Sequence, residues 1–259
     1  MTNAADLHLS LNELRALMRR TYEALYHHGY DFAVMARSCL WLEAHGLDGI
    51  GLIIRSLPDL ETPCCDIELT EPSPSHFVLE GRGRCLIPFV NAAADLAIAA
   101  AQDEGLGTID VLNVFGRLNI FAALKKSARL NFYAAAIWYD AGEGRTHIFW
   151  LKSSKDLPDY YILDETHSGP WGESGLRFVC SSIEDVIMKN VRTVLPEDAV
   201  PHKTGAQFSA AYEAALETGI TVSRDTYTEL NKIADRLLCL LYTSPSPRDQ
   251  RGSRMPSSA

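Results

Sequence analysis

The sequence is short of the features that assign a function quickly. No stretch reaches the ~20 consecutive apolar residues of a membrane-spanning helix, and no basic segment followed by an apolar run marks a signal peptide. No membrane role is expected, and the reading is a cytoplasmic protein. Positive charge is scarce, with 24 Lys and Arg against 33 Asp and Glu. That balance argues against nucleic acid or anionic lipid as a partner. Cysteines are few and irregularly spaced, so free thiols in a reducing compartment are expected, with no metal site. No G-x-G-x-x-G opens a helix after a strand. Gly81-Arg82-Gly83-Arg84 runs into Cys85-Leu86-Ile87-Pro88, which breaks that fingerprint and argues against a Rossmann site. No internal repeat is present.

Residues 239–259, CLLYTSPSPRDQRGSRMPSSA, do not read as protein that evolved to fold. Back-translated, CLLYTSPSPRD fits a common transposon-based sequencing adapter and SRMPSSA its outer adapter. A native Ser/Pro/Arg tail would be disordered as well. The tail is read as a disordered adapter artefact, the authentic chain as ending near Leu238 with its true C-terminus lost. Without the tail, 21 basic residues face 32 acidic ones, a net charge of −11, and five cysteines remain: Cys39, Cys64, Cys65, Cys85 and Cys180.

What is present begins with helices. Ser10-Leu11-Asn12-Glu13 has the capping-box pattern. Leu11, Leu14, Met18 and Leu25 follow at helical spacing, with Gly29 as a stop. Asp31 caps a second helix carrying Phe32, Met35, Cys39 and Leu42, closed by Gly46. Asp48 caps a short third helix that ends before Pro58. Strands are expected at 66–70, 76–80, 108–112, 131–138, 145–151, 160–163 and 176–180. Helices are expected at 89–103 (alanine-rich), 117–129, 183–190, 206–216 and 224–238. The pattern predicts an α/β protein with a mixed central sheet and flanking helices. Its parts are a helical segment over 1–62, a sheet domain over 63–204, and helices over 205–238 packing on the N-terminal ones.

Two short segments carry a family likeness. Gly46-Leu47-Asp48-Gly49-Ile50-Gly51 and Val111-Leu112-Asn113-Val114-Phe115-Gly116 resemble the motifs G-[ILV]-D-S-H-G and N-S-N-H-F-G of the non-Rossmann malate/L-lactate dehydrogenases. Weaker matches keep the same order: the opening helix from Leu11, Leu79-Glu80-Gly81-Arg82-Gly83, Asp95 to Ile98 with Gly105-Leu106-Gly107, and Thr218 to Ser223, which is similar to a helix start. The resemblance implies that family's scaffold, an NAD(P) cofactor, a 2-hydroxy or 2-oxo acid or cyclic imine substrate, and a homodimer. It also identifies what is missing. The two histidine positions read Ile50 and Val114, and in that family a histidine of the first motif moves the proton. A positioned acid or base is worth roughly 10²–10⁴ in rate, and hydrocarbon supplies none of it. The family's substrate-binding arginine one turn beyond has only Arg55 nearby, one residue late. Its G-L-G-Q pair is replaced by Leu86-Ile87, and its later cofactor-lining segments have no counterpart after Trp138. The resemblance therefore implies a short, divergent member, akin to shorter bacterial proteins with this helical opening and no catalytic histidines.

The candidate pocket is Asp48, Arg55, Asn113 and Arg117. Each has a plain alternative: Asp48 as a helix cap, Asn113 as a turn residue. Asp164 and His167 offer a replacement acid or base, against the alternative of an exposed loop. His27-His28 fits a helix end, Cys64-Cys65 idle thiols, and Ser181-Ser182 a helix start. Two functions stay open. One is a non-catalytic or repurposed homologue binding a small carboxylate or a protein partner, with no cofactor. The other is an active NAD(P)H-dependent oxidoreductase whose proton donor has moved to Asp164 or His167.

Overall fold

A computed structural model of the chain describes residues 6–25, 31–62, 67–153, 156–164, 167 and 169–237. The order is β1 (Leu7–Leu9), α1 (Leu11–Leu25), α2 (Phe32–Ala44), α3 (Gly49–Leu60), β2 (Glu68–Ser73), β3 (His76–Cys85), α4 (Val90–Glu104) and β4 (Gly107–Phe115). A 3₁₀ turn at Arg117–Asn119 leads into α5 (Ile120–Arg129), followed by β5 (Tyr133–Asp140), β6 (Arg145–Leu151), β7 (Asp159–Leu163) and β8 (Leu176–Ser181). Helices α6 (Glu184–Arg192) and α7 (Gly205–Thr218), strand β9 (Ile220–Val222) and α8 (Arg224–Ala234) complete it.

The central sheet has seven strands in the order β2-β3-β4-β8-β5-β6-β7, with β3 and β4 parallel and every other pair antiparallel. The expected mixed sheet with flanking helices is thus present. Period-two alternation sends its side chains to two cores. Ala134, Ala136, Trp138, Phe149, Leu151, Leu176, Phe178 and Cys180 face the large helical layer. Ala135, Ile137, Ile148, Trp150, Tyr161 and Val179 face α6, where Ile187 and Val191 meet them. The alanines of α4 let it lie unusually near the sheet. A Cβ at Gly107, the first residue of β4, would stand 1.7 Å from the Ala97 carbonyl oxygen of α4. Helix α1 packs on α8, where Thr21 Oγ1 donates to the Leu230 carbonyl and Arg20 to Asn231.

The expected caps form. Glu13 accepts from the Ser10 amide at 2.8 Å while Ser10 Oγ accepts from the Glu13 amide, and Asp31 accepts from the Val34 amide at 2.9 Å. Gly46 closes the second helix with φ +69°.

Three boundaries differ from expectation. Helix α3 passes through Pro58 to Leu60. Its last turn is held by the Glu61 amide on the Leu57 carbonyl, which needs no proline N–H, and by Asp59 reaching Arg84 Nε at 2.7 Å and the Cys85 amide at 3.0 Å. Strand β3 continues past Gly81 to Cys85, with a register shift between Glu80 and Arg84 absorbing the glycines as a bulge. The segment 218–223, expected to open a helix directly, first forms β9, which pairs with β1 through Leu7↔Val222 and Leu9↔Ile220. Three-residue strands lie below what periodicity detects.

Candidate functional site

The first motif enters α3 across a tight contact with α2. A Cβ on Gly49 would meet the Cys39 carbonyl oxygen at 2.1 Å, so only glycine allows this approach. Two carboxylates cap the helix start: Asp48 Oδ1 accepts from the Gly51 amide at 3.1 Å and Glu43 accepts from the Ile50 amide at 2.8 Å. Burial raises the Glu43 pKa, and the amide bonds oppose that rise. The other Asp48 oxygen pairs with Arg55 at 2.8 Å, both side chains being 59% exposed. Ile50 itself is buried. Helix capping therefore accounts for Oδ1 of Asp48, and an exposed ion pair for Oδ2.

The second motif ends β4. Asn113 adopts φ +49°; its Nδ2 donates to Glu80 at 2.9 and 3.0 Å, and its Oδ1 accepts from Ser174 Oγ at 3.0 Å. Val114 is buried, donates its amide to the Ser174 carbonyl at 2.8 Å, and fills the space over Gly81, where a Cβ would meet it at 2.2 Å. Arg117 donates to the Tyr139 and Glu173 carbonyls at 3.1 Å each and pairs with Asp140 at 2.8 Å. Asn113 and Arg117 thus meet on one turn, residues 173–174, and both are absorbed in holding it. Asp48 and Arg55 hold one another instead. Two clefts, of about 910 and 640 Å³, are lined by none of these four residues.

Asp164 pairs with Arg145 at 3.0 Å and is 85% exposed. The His167 amide donates to Thr146 Oγ1 at 3.1 Å. Ser181 Oγ donates to the Gly105 carbonyl and accepts from the Ile183 amide, a helix-entry role. Cys39, Cys85 and Cys180 are free and buried, with thiol pKa values pushed up to about 12 by burial. His27, His28, Cys64, Cys65 and Glu165 lie outside the described residues, as does the whole of 238–259. Among the described residues no group of three or more His, Cys, Asp or Glu could hold a metal ion, and no helix is long and apolar enough to cross a membrane.

Sequence reasoning passed over His45 and the cations near it. His45 is buried, its Nδ1 2.6 Å from the Trp41 carbonyl and its ring stacked on Tyr212. Burial, then the charges of Lys125 and Lys203, bring its pKa down to about 4. Such a group favours the unfolded chain once the pH falls below its ordinary value of 6.5, and the loss levels off near 4. Stability is expected to drop by about 2 kcal/mol between pH 7 and pH 5. Urea unfolding at the two pH values should show this, and His45→Phe should remove much of the difference. Equal stability of the parent chain at both pH values would contradict a neutral buried imidazole. The cations had a legible signal: Lys125 and Arg129 stand four apart on α5 in an acidic chain, a like-charge pair that weakens a helix.

No protein-family profile matches the chain, and no curated protein sequence matches it. Solved structures do. Malate dehydrogenase from Pyrococcus horikoshii OT3 aligns over 90% of this chain and 96% of its own, with a TM-score of 0.64 at 13% identity. Sulfolactate dehydrogenase from Methanocaldococcus jannaschii aligns over 89% and 97%, with 0.62 at 13% identity. Δ1-Piperideine-2-carboxylate reductase from Pseudomonas syringae aligns over 88% and 99%, with 0.59 at 10% identity. The chain has the fold these oxidoreductases share.

Proposed function

We propose that the chain is a binding protein on the malate/L-lactate dehydrogenase scaffold, taking a small carboxylate or comparable anion and performing no hydride transfer at the ancestral position. One observation carries this reading: both positions that match the family's motif histidines hold buried hydrocarbon, Ile50 in the first motif, where the proton-transferring histidine is expected, and Val114 in the second. The surrounding polar groups support it. Asp48, Asn113 and Arg117 are each engaged within the protein, so none is poised to orient a substrate.

The two arginines beside the motifs are also engaged. A pyrophosphate asks for free cations or backbone N–H groups. Arg55 is held by Asp48, and Arg117 by one carboxylate and two carbonyls. These engagements support the reading without a nicotinamide cofactor. The alternative of a relocated donor gains little support from Asp164, whose carboxylate is exposed and engaged by Arg145.

The test is turnover of NADH and NADPH with pyruvate, oxaloacetate and a cyclic imine carboxylate. The expected rate is no higher than the buffer background. Ordinary enzymatic turnover with any of these would refute the reading.

A further inference from the structure

One cleft gathers cations in a protein that is otherwise acidic. It measures about 910 Å³ and lies where α1 and α2 face α4 and α5, with Tyr212 of α7 at its side. Arg15, Arg37, Lys125 and Arg129 line it, and among the described residues none of the four has an ion pair or hydrogen bond. Lys126, also on the wall, pairs with Asp95. Among the described residues Asp31 is the only other carboxylate there, and it caps α2. Lys125 is half-buried, with Nζ 2.8 Å from the centroid of the Trp41 ring. Met35, Ile87 and Pro88 supply an apolar wall.

Several costs coincide here. Lys125 and Arg129 repel one another on one helix face. Desolvation, then the Arg129 charge, pushes the Lys125 ammonium down to about 8. Among the described residues no carboxylate pairs with Lys125 or Arg129, and Lys125 has the Trp41 ring alone beside it, whereas an anion seated between α2 and α5 would offset both costs. The volume suits a ligand of metabolite size, on the order of 300–1,000 Å³.

We infer that this cleft binds a small organic polyanion, carrying at least two negative charges on phosphate or carboxylate groups and an apolar body that rests on Met35, Ile87 and Pro88. Four unpaired cations against one carboxylate set the charge, and the wall opposite α5 sets the apolar part. The cleft shares no residue with Asp48, Arg55, Asn113 and Arg117. The inference rests on the binding role proposed above and gives it a location and a ligand class.

The experiment is calorimetry of the full chain with ADP, inorganic pyrophosphate and citrate at low ionic strength. Lys125→Gln, Arg129→Gln and Arg37→Gln are compared with Lys189→Gln, an exposed residue of α6 that lines neither cleft, as a control. At least one probe should bind with micromolar Kd. Each cleft variant should weaken it about tenfold, as loss of one charge-assisted hydrogen bond does, and Lys189→Gln should leave it unchanged. ADP binding well ahead of pyrophosphate and citrate assigns a phosphate ligand with a ring; citrate ahead of both assigns a carboxylate. Affinity should also fall as pH rises from 7 to 9, because bound anion favours protonated Lys125 and the free protein loses that proton first. Absence of binding below 1 mM for all three probes, or binding that the cleft variants do not alter more than the control, would overturn the inference. Among the described residues the side chains of Arg37 and Arg129 make no hydrogen bond or ion pair, so those variants should melt with the parent chain, whereas Lys125→Gln also gives up the Trp41 ring contact. A melting shift in one leaves the other two to decide. NADH, itself a polyanion, separates this inference from the preceding one. NADH binding abolished by the cleft variants belongs here, whereas turnover of NADH that survives them defeats the proposed function alone.

Discussion

Asp110→Ala is expected to destabilise the fold by about 3 kcal/mol, the low end of the range for stranding one partner of a buried ion pair, because the Arg177 left behind is 23% exposed. Asp110 sits in β4 with 2% exposure and accepts from Arg177 Nε and Nη2 at 2.7 Å each and from His76 Nε2 at 2.9 Å. Arg177 is its direct partner across the β4–β8 pair, so the two charges are fixed by the sheet register itself. Without the carboxylate, the guanidinium would remain 4.9 Å from the Trp171 ring with no counter-charge. Replacing both partners, Asp110→Leu with Arg177→Met, should recover much of the loss because no stranded charge remains. Equilibrium urea unfolding reads both. A cost below about 1 kcal/mol for Asp110→Ala would mean that water reaches the pair, and the buried-charge argument would fail.

Phe121→Ala should cost a similar amount, about 3–5 kcal/mol, for a different reason: a large ring removed from a close-packed interior leaves a cavity that neighbours refill only in part. Phe121 is fully buried on α5 and meets Phe208 of α7 at 5.0 Å, Phe149 of β6 at 5.2 Å and His45 at 5.5 Å between ring centroids. It joins three helices to the sheet at one point. Phe121→Leu, which keeps most of the volume, should lose well under half as much. Equal losses for the two variants would show that the aromatic packing, rather than the filled volume, holds this junction.

Local rules made much of the helical layer legible. Ser10 with Glu13, Asp31 and Asp48 each announce a helix start by a hydrogen bond between near neighbours, so a sequence window contains all the participants. The alanines of α4 likewise state which face is buried, and the unbroken apolar run of β5 fits a strand covered on both faces. What escaped depends on distant partners. β1 and β9 exist only because they pair with each other, and α3 outruns Pro58 because Asp59 finds Arg84 and Cys85. Placing β8 between β4 and β5 is a tertiary decision that no window contains.

The site divides along the same line. Ile50 and Val114 were readable as departures from a motif, and both side chains are buried. That Asn113 would be held by Glu80 and Ser174, or Arg117 by Asp140, required the bulge of β3 and the turn at 173–174 to be known first. The cationic cleft draws its residues from α1, α2 and α5, so its charges look like ordinary surface residues until those helices are set side by side.

The ribbon of β1 and β9 has a further consequence during synthesis. Thr221 meets His8 across a separation of 213 residues, so β1 has no β9 to pair with until residues 220–222 have left the ribosome. The sheet can assemble while translation continues, whereas the N-terminal segment must wait, its pairing edge open to other chains, and its docking becomes a late step of maturation.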